Sequence, residues 1–223
     1  MPPRIDTGDM WRAVIGAIIV QLAMALMGKR YLDVGPDHAP TAILMAYLVL
    51  PSLAAIIWVW FATVWQERDG WSRLGFAPIE RRWLLRSIVL GLFSVPATML
   101  ITVLTQPIFG TAEGPALPLS NTEAWGQPTY LLAMIMGVVL LAPLMEEMVF
   151  RGLLFGWLRH RFGIWNAAAL AAVGHALLHF DLGAMPGLFA LFFFLAWIYQ
   201  YSGSLWVPVI IHAIHNFAVL QMP

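Results

Sequence analysis

The sequence predicts an all-α membrane protein, a polytopic bundle of about seven transmembrane helices around a polar intramembrane cavity. Of its 223 residues, 61% are apolar and only 11% are charged, whereas soluble domains have about 45–50% apolar and about 25% charged residues. The mean hydropathy is +0.78. Apolar runs recur along the whole chain, and a run of about 20 helical residues crosses a hydrocarbon core of roughly 30 Å. These three observations place the chain in the membrane class.

The apolar runs define the predicted spans in order. They are Trp11–Met27, Thr41–Trp65, Trp83–Thr105, Thr129–Leu158, Ile164–Phe180, Met185–Tyr201 and Leu205–Gln221. The first run is short and carries Gln21, which resembles a signal peptide. However, Asp6 and Asp9 precede it and no small-residue cleavage motif follows, so it is predicted to be a helix of the bundle.

The chain is predicted to form a single integral domain over residues 1–223, because no internal repeat or polar linker divides it. Residues 1–128 hold the N-terminal helices and an interfacial segment, and residues 129–221 hold the helices with the candidate site. Twelve Lys and Arg balance twelve Asp and Glu, so no basic face is available for nucleic acid. The absence of Cys excludes disulfides and thiolate metal sites. The predicted surroundings are membrane lipid.

The basic residues orient the spans. One side of the membrane receives a large set of arginines: Arg4, Arg12, Arg68, Arg73, Arg81, Arg82, Arg86, Arg159 and Arg161. The opposite side has only Lys29 and Arg30. The positive-inside rule therefore places the N-terminus in the cytoplasm, and the predicted location is the inner membrane of a bacterium. The Arg-rich second connection also contains Trp, Leu and Phe, which predicts an interfacial helix or a charged loop.

Three charged residues lie well inside a predicted span, in the segment LMEEMVFRG. They are Glu146, Glu147 and Arg151. A charge at mid-bilayer costs about 2.5–3.5 kcal/mol on insertion scales, so such groups usually mark function. Glu147 and Arg151 share a helix face at i, i+4 and are explained by a structural ion pair. Glu146 has Phe150 at i+4 and needs partners from other helices.

Suitable partners occur in two later spans as pairs one helical turn apart. His175 and His179 form one pair, and His212 and Asn216 form the other. A single membrane histidine is more often a packing residue, but two such pairs favour a site. Counted at ~1.5 Å per residue from the cytoplasmic ends, Glu147 and all four residues lie ~10–21 Å deep. Three separate segments therefore bring carboxylate, imidazole and carboxamide to similar depths.

These residues carry a resemblance to a known family. The stretches EEMVFR, HALLH and HAIHN are similar to the three motifs of the CPBP family, the CAAX prenyl endopeptidase and bacteriocin-processing membrane proteases, also called the Abi family. The resemblance covers Thr129 to Val219. The chain departs from the family pattern at His175, where the family usually has an aromatic residue. His175 then either replaces a wall residue or adds a member to the site.

The resemblance implies hydrolysis of a peptide bond within the membrane. In this interpretation Glu146, helped by His179, deprotonates a water molecule, and His212 and Asn216 donate hydrogen bonds to the oxyanion. Glu147, Arg151 and His175 are supporting residues. Glu146, His179 and His212 have ligand chemistry suitable for zinc, but the same set can act as acid and base without a metal. The substrate implied is a peptide or membrane protein, prenylated in part of the family.

Two other functional classes fit a polar cluster at mid-membrane. A proton or metal-ion transporter uses such residues, although repeats and matched broken helices are missing from the sequence. A non-catalytic membrane partner, such as an immunity or scaffold protein, could use the cluster only to hold its helices together. Loss of turnover without loss of fold in a Glu146 variant would separate a protease from both.

Overall fold

In the computed structural model the chain is described over residues 5–31, 40–65, 70–112 and 127–221. Those residues form helices and connections, and none of them forms a strand. Arg4 and Arg68 of the predicted basic side lie outside the described residues, as does most of the connection before Pro128. The all-α class is confirmed.

The first half of the chain forms three long apolar helices. Helix α1 is Thr7–Tyr31. Helix α2 joins α-helical Pro40–Leu44 and Leu50–Thr63 through a π-helical turn. Helix α3 is Arg81–Phe109. The described part of the Arg-rich connection between α2 and α3 contains a short 3₁₀ helix, Gly70–Leu74. Its position at the membrane interface stays a prediction.

Helix α4, Pro128–Leu177, is 50 residues long and folds back on itself. A straight helix would separate Arg151 from His175 by ~36 Å at 1.5 Å per residue, yet their side chains are 2.8 Å apart. The reversal occurs at Gly163, whose φ of 75° and ψ of 170° are not helical. Glycine reaches this backbone conformation without the steric penalty of a side chain. Helix α4 is therefore a hairpin with a first arm before Gly163 and a second arm after it.

Two further helices complete the bundle, α5 (Met185–Ser202) and α6 (Trp206–Val219). The predicted count of seven spans is not confirmed, because five helices of the described chain are long and apolar enough to cross a membrane. Hairpin α4 enters that count once, although its arms correspond to two predicted spans. Helix α6 has 14 residues, fewer than the ~20 that a perpendicular crossing requires.

Several connections that carry arginine meet at one end of the bundle. Arg73 forms an ion pair with Asp9. Arg161 donates a hydrogen bond of 2.7 Å to the Thr7 hydroxyl. The amide of Leu205 donates to the carbonyl of Gly75 at 2.8 Å. The beginning of α1, the α2–α3 connection, the hairpin turn and the beginning of α6 thus lie together. Which side of the membrane this end faces stays a prediction.

Hairpin α4 lies in the interior of the bundle. Its most apolar window is 44% buried within the protein, against 18% for α1 and 17% for α3. The second arm packs on α5, and α3 packs on both α5 and α6. The helix that carries Glu146, Glu147 and Arg151 is therefore shielded on most sides by other helices. This arrangement allows a charged cluster to exist inside a bundle of membrane-spanning helices.

Helices α3 and α5 approach closely at Gly187. A Cβ atom on Gly187 would lie 2.4 Å from the Thr102 hydroxyl and 2.9 Å from the backbone carbonyl of Thr98. Gly187→Ala is therefore expected to lower the free energy of unfolding by about 1–3 kcal/mol, as overpacking does. Thermal unfolding in detergent measures the effect. The matched control is Gly174→Ala, where a Cβ meets nothing within 4 Å and a gain of about 0.5–1 kcal/mol is expected. Equal melting temperatures for the two variants would contradict this packing.

Candidate active site

A buried carboxylate, Glu147, occupies the centre of the polar cluster. Its Oε1 forms an ion pair with Arg151 Nη1 at 3.0 Å and accepts a hydrogen bond from His212 Nδ1 at 2.8 Å. The side chains of Glu147 and Arg151 are 0% and 1% exposed. The i, i+4 ion pair expected from the sequence is present, and α6 adds a third member. Glu147 therefore joins the first arm of the hairpin to α6.

Arg151 joins the same arm to the second arm and to α5. Its Nη1 lies 2.8 Å from His175 Nδ1, and its Nη2 donates to the carbonyl of Phe192 at 3.1 Å. The His175 ring is stacked between two aromatic rings, with centroids 3.9 Å from Phe150 and 3.6 Å from Phe192. Both faces of the imidazole are thus packed against apolar rings, while both ring nitrogens have polar partners.

Glu146 faces the cluster at its more open edge. Its Oε2 lies 2.9 Å from His175 Nε2 and 3.7 Å from His212 Nε2. The side chain is 20% exposed, in contrast to buried Glu147. The structure thus supplies from two other segments the partners that the sequence of the first arm could not provide for Glu146.

His179 lies at the edge of the cluster, and Asn216 binds the backbone of the first arm away from Glu146. The exposed His179 has Nδ1 3.1 Å from the backbone carbonyl of His175, one helical turn earlier. The half-buried Asn216 donates from Nδ2 to the carbonyl of Val138 at 3.0 Å, which leaves its second N–H for another acceptor. The segments around Glu146, His179 and His212 meet at one place, and the catalytic roles of these residues stay predictions.

Hydrogen-bond partners determine where the histidine protons lie. Carboxylate and carbonyl oxygens only accept, so His212 Nδ1–H donates to Glu147 and His179 Nδ1–H donates to the carbonyl of His175. In their neutral forms both rings then carry a lone pair on Nε2. His175 has the opposite arrangement, because a guanidinium only donates. Its Nδ1 accepts from Arg151, and its Nε2–H donates to Glu146.

This proton arrangement decides which residues suit a metal ion. The possible ligand atoms of Glu146, His175 and His179 all lie within 4.8 Å of one another. This set contains His175 where the sequence predicted His212. However, His175 Nε2 holds the proton that it donates to Glu146, so it offers no lone pair there. His212 Nε2 does, and its Nδ1–H is held by a carboxylate, as is common for zinc-binding histidines. By donor chemistry Glu146, His179 and His212 suit a divalent metal, but the ligand atoms that converge within 4.8 Å in the described residues belong to Glu146, His175 and His179, so a metal bound by His212 stays a prediction.

Sequence reasoning missed several contributors to the site. Phe192 stacks on His175 and binds Arg151 through its carbonyl, but an aromatic residue in a helix rich in phenylalanine gives no distinguishing signal. The contact of His212 with Glu147 crosses from one helix to another, so no spacing indicates it. His215, on the same helix as His212, is not part of the site: it is buried against α3 with Nδ1 2.8 Å from the Ser94 hydroxyl.

The candidate site residues lie within a part of the chain that matches a known protein family. Residues 128–218 match the family of type II CAAX prenyl endopeptidase Rce1-like proteins. The chain is 28% identical over 143 residues to the Bacillus subtilis (strain 168) protein named "Putative membrane peptidase YdiL". That match covers 61% of this chain and 58% of the relative, so the chain spans less than two thirds of the relative's length. No solved structure gives a significant match.

Proposed function

Because the chain belongs to the CPBP family, we propose that it is an intramembrane endopeptidase that uses Glu146 to activate a water molecule. The observation that carries this proposal is the position of Glu146. It is the partly exposed carboxylate beside the buried Glu147, and its partners His175 and His212 belong to two other segments. A carboxylate that is held in place and still reaches the edge of the cluster can contact both a water molecule and a substrate carbonyl.

The hydrolytic step follows from the proton positions in the cluster. A water molecule beside Glu146 gives one proton to its carboxylate while the water oxygen attacks the scissile carbonyl carbon. His179 Nε2 accepts a hydrogen bond from the same water and orients it. When the tetrahedral intermediate collapses, the C–N bond breaks and Glu146 returns the proton to the leaving nitrogen. General acid–base catalysis of this kind contributes about 10²–10⁴-fold to the rate.

His212 and Asn216 are proposed to stabilise the oxyanion. His212 can donate from Nε2 only when that nitrogen is protonated in addition to Nδ1. The charged ring is then stabilised by the Glu147 carboxylate, which accepts from Nδ1 at 2.8 Å. Asn216 contributes the N–H that does not bind Val138. Each donor of this type is worth roughly 3–4 kcal/mol in the transition state.

If a divalent metal is bound, Glu146, His179 and His212 would hold it, and it would act as a Lewis acid toward the scissile carbonyl. We expect hydrolysis without one, because the side chains themselves supply a base and oxyanion donors. Treatment of the purified protein with 1,10-phenanthroline is therefore expected to change turnover by less than about twofold, well below a general-base contribution. A loss of turnover that added Zn²⁺ restores would contradict this and assign the three residues as ligands.

The proposed substrate is a peptide segment at or within the bilayer. Purified protein reconstituted in liposomes would be incubated with a C-terminally prenylated peptide, with the same peptide lacking the lipid, and with a hydrophobic helical peptide. Mass spectrometry would identify the products. Cleavage of at least one peptide supports the endopeptidase, and selective cleavage of the lipidated peptide would indicate a prenylated substrate. Release of no product by wild-type protein from any of the three would contradict the proposal.

A further inference from the structure

His175 is the histidine of the cluster whose two ring nitrogens both lie within 2.9 Å of charged side chains, whereas His212 Nε2 lies 3.7 Å from Glu146. The Nδ1 of His175 lies 2.8 Å from Arg151 Nη1 and its Nε2 lies 2.9 Å from Glu146 Oε2. The side chain is 2% exposed, so water does not compete for either nitrogen. His179 and His212 are also near, with ring centroids 5.4 and 6.1 Å away.

The direction of both hydrogen bonds is determined by Arg151. Its guanidinium has donors and no acceptor, and it is held in place by Glu147 at 3.0 Å and by the carbonyl of Phe192 at 3.1 Å. His175 Nδ1 must therefore be the acceptor. A neutral imidazole that accepts at Nδ1 carries its proton at Nε2, and that proton points to Glu146.

The stacked rings hold His175 in the orientation that both bonds require. Phe150 lies against one face with an interplanar angle of 6°, and Phe192 lies at 10°. Rotation of the imidazole about its Cβ–Cγ bond would tilt the ring plane and push a ring edge into Phe150 or Phe192. The proton on Nε2 is thus fixed in direction as well as in position.

We propose that His175 is a positioning residue for Glu146. It joins the buried Glu147–Arg151 pair to the Glu146 carboxylate and holds Oε2 in place, so that Oε1 is presented to the water. This inference rests on the proposed function, since it takes Glu146 as the base. A partly exposed carboxylate without this bond would sample other rotamers, and fewer molecules would be in the reactive geometry.

The proton position can be measured independently of activity. Protein labelled with ¹⁵N-histidine would be studied by NMR in detergent micelles, and the His175 signals would be assigned by their loss in His175→Gln. The expected spectrum shows a neutral ring with an unprotonated Nδ1 and a protonated Nε2. A proton on Nδ1, whether alone or together with one on Nε2, would overturn the inference, because Arg151 could not then donate to that nitrogen.

Kinetics of two His175 variants test the consequence for catalysis. His175→Phe keeps the stacking and removes both hydrogen bonds. It is expected to lower kcat by about 10–100-fold, as loss of orienting partners does, with KM within about twofold. In His175→Gln the amide oxygen can accept from Arg151 and the amide N–H can donate to Glu146, so at least half of the loss in log kcat should be recovered. His215→Gln is the matched control, a buried histidine bonded to Ser94, and its kcat should stay within about twofold.

The outcomes separate this inference from the function on which it rests. A wild-type kcat in His175→Phe together with an inactive Glu146→Gln would reject the positioning role and retain the endopeptidase. Turnover that survives Glu146→Gln would reject Glu146 as the base and, with it, the positioning role of His175, whatever the NMR spectrum shows.

If the His175→Phe protein loses its fold, His175→Gln and the NMR spectrum decide the inference. In that case a proton on Nε2 and a kcat of at least one tenth of wild type in His175→Gln support the inference, and either failure rejects it.

Discussion

Replacing Glu146 by glutamine is expected to lower the rate of peptide hydrolysis by about 10²–10⁴-fold, the range for a lost general base. Glutamine keeps the size of the side chain and an oxygen that accepts from His175, but it cannot take a proton from water. The melting temperature should change by only a few degrees, because Glu146 is partly exposed and outside the buried Glu147–Arg151 pair. The measurements are turnover of a cleaved peptide and thermal unfolding of the same preparation.

The Glu146 variant also distinguishes the three functional classes compatible with the cluster. A peptidase loses turnover and remains folded. In a scaffold protein no turnover exists to be lost, and the change acts only through stability. A transporter with the same cluster would lose proton or ion flux in liposomes, which is measured separately. Full hydrolytic activity in Glu146→Gln would remove Glu146 from the mechanism.

Replacing Glu147 by glutamine is expected to have the largest effect on stability. Arg151 would remain 1% exposed with no counter-charge on Glu147, and breaking a buried pair from one side costs about 3–5 kcal/mol. His212 Nδ1 would lose its charged hydrogen-bond acceptor, so turnover per folded molecule should fall as well. Thermal unfolding in detergent and the folded fraction after purification report the first effect.

Glu80→Gln provides the matched control for Glu147→Gln. Glu80 pairs with Arg82 at 2.6 Å, but the two side chains are 60% and 63% exposed. Exposed pairs contribute about 0–1 kcal/mol, so the melting temperature of Glu80→Gln should stay close to that of the unmodified protein. Similar destabilisation in the two variants would show that burial of the Glu147–Arg151 pair does not govern its contribution.

The hairpin shows how much of the helical architecture composition and local sequence pattern can predict. The apolar runs predict the helices, and the interruption between Leu158 and Ile164 predicts that the chain turns there. The structure has its reversal at Gly163. The predicted total of seven spans depends on lengths that sequence cannot specify closely, and α6 ends after 14 residues.

The hydrogen bonds of the polar cluster show which contacts a sequence cannot predict. Helical spacing predicted that Glu147 pairs with Arg151, because residues four apart share a face of the same helix. It also indicated that Glu146 needs partners from elsewhere. It could not say that His212 binds Glu147 or that His175 binds Glu146, because those contacts depend on how each helix is rotated and how closely it packs against the next.

The sequence by itself determined the membrane class and the helical fold, and it predicted a charged segment at mid-membrane and a small set of residues able to form a site. Each of these follows from composition or from periodicity within one helix. Only the tertiary structure brought Arg151 against His175 Nδ1 and Glu147 against His212 Nδ1, the contacts from which the proton positions follow. The physical reason is that a histidine's proton position is set by its partners, and those partners belong to helices that are distant in the sequence.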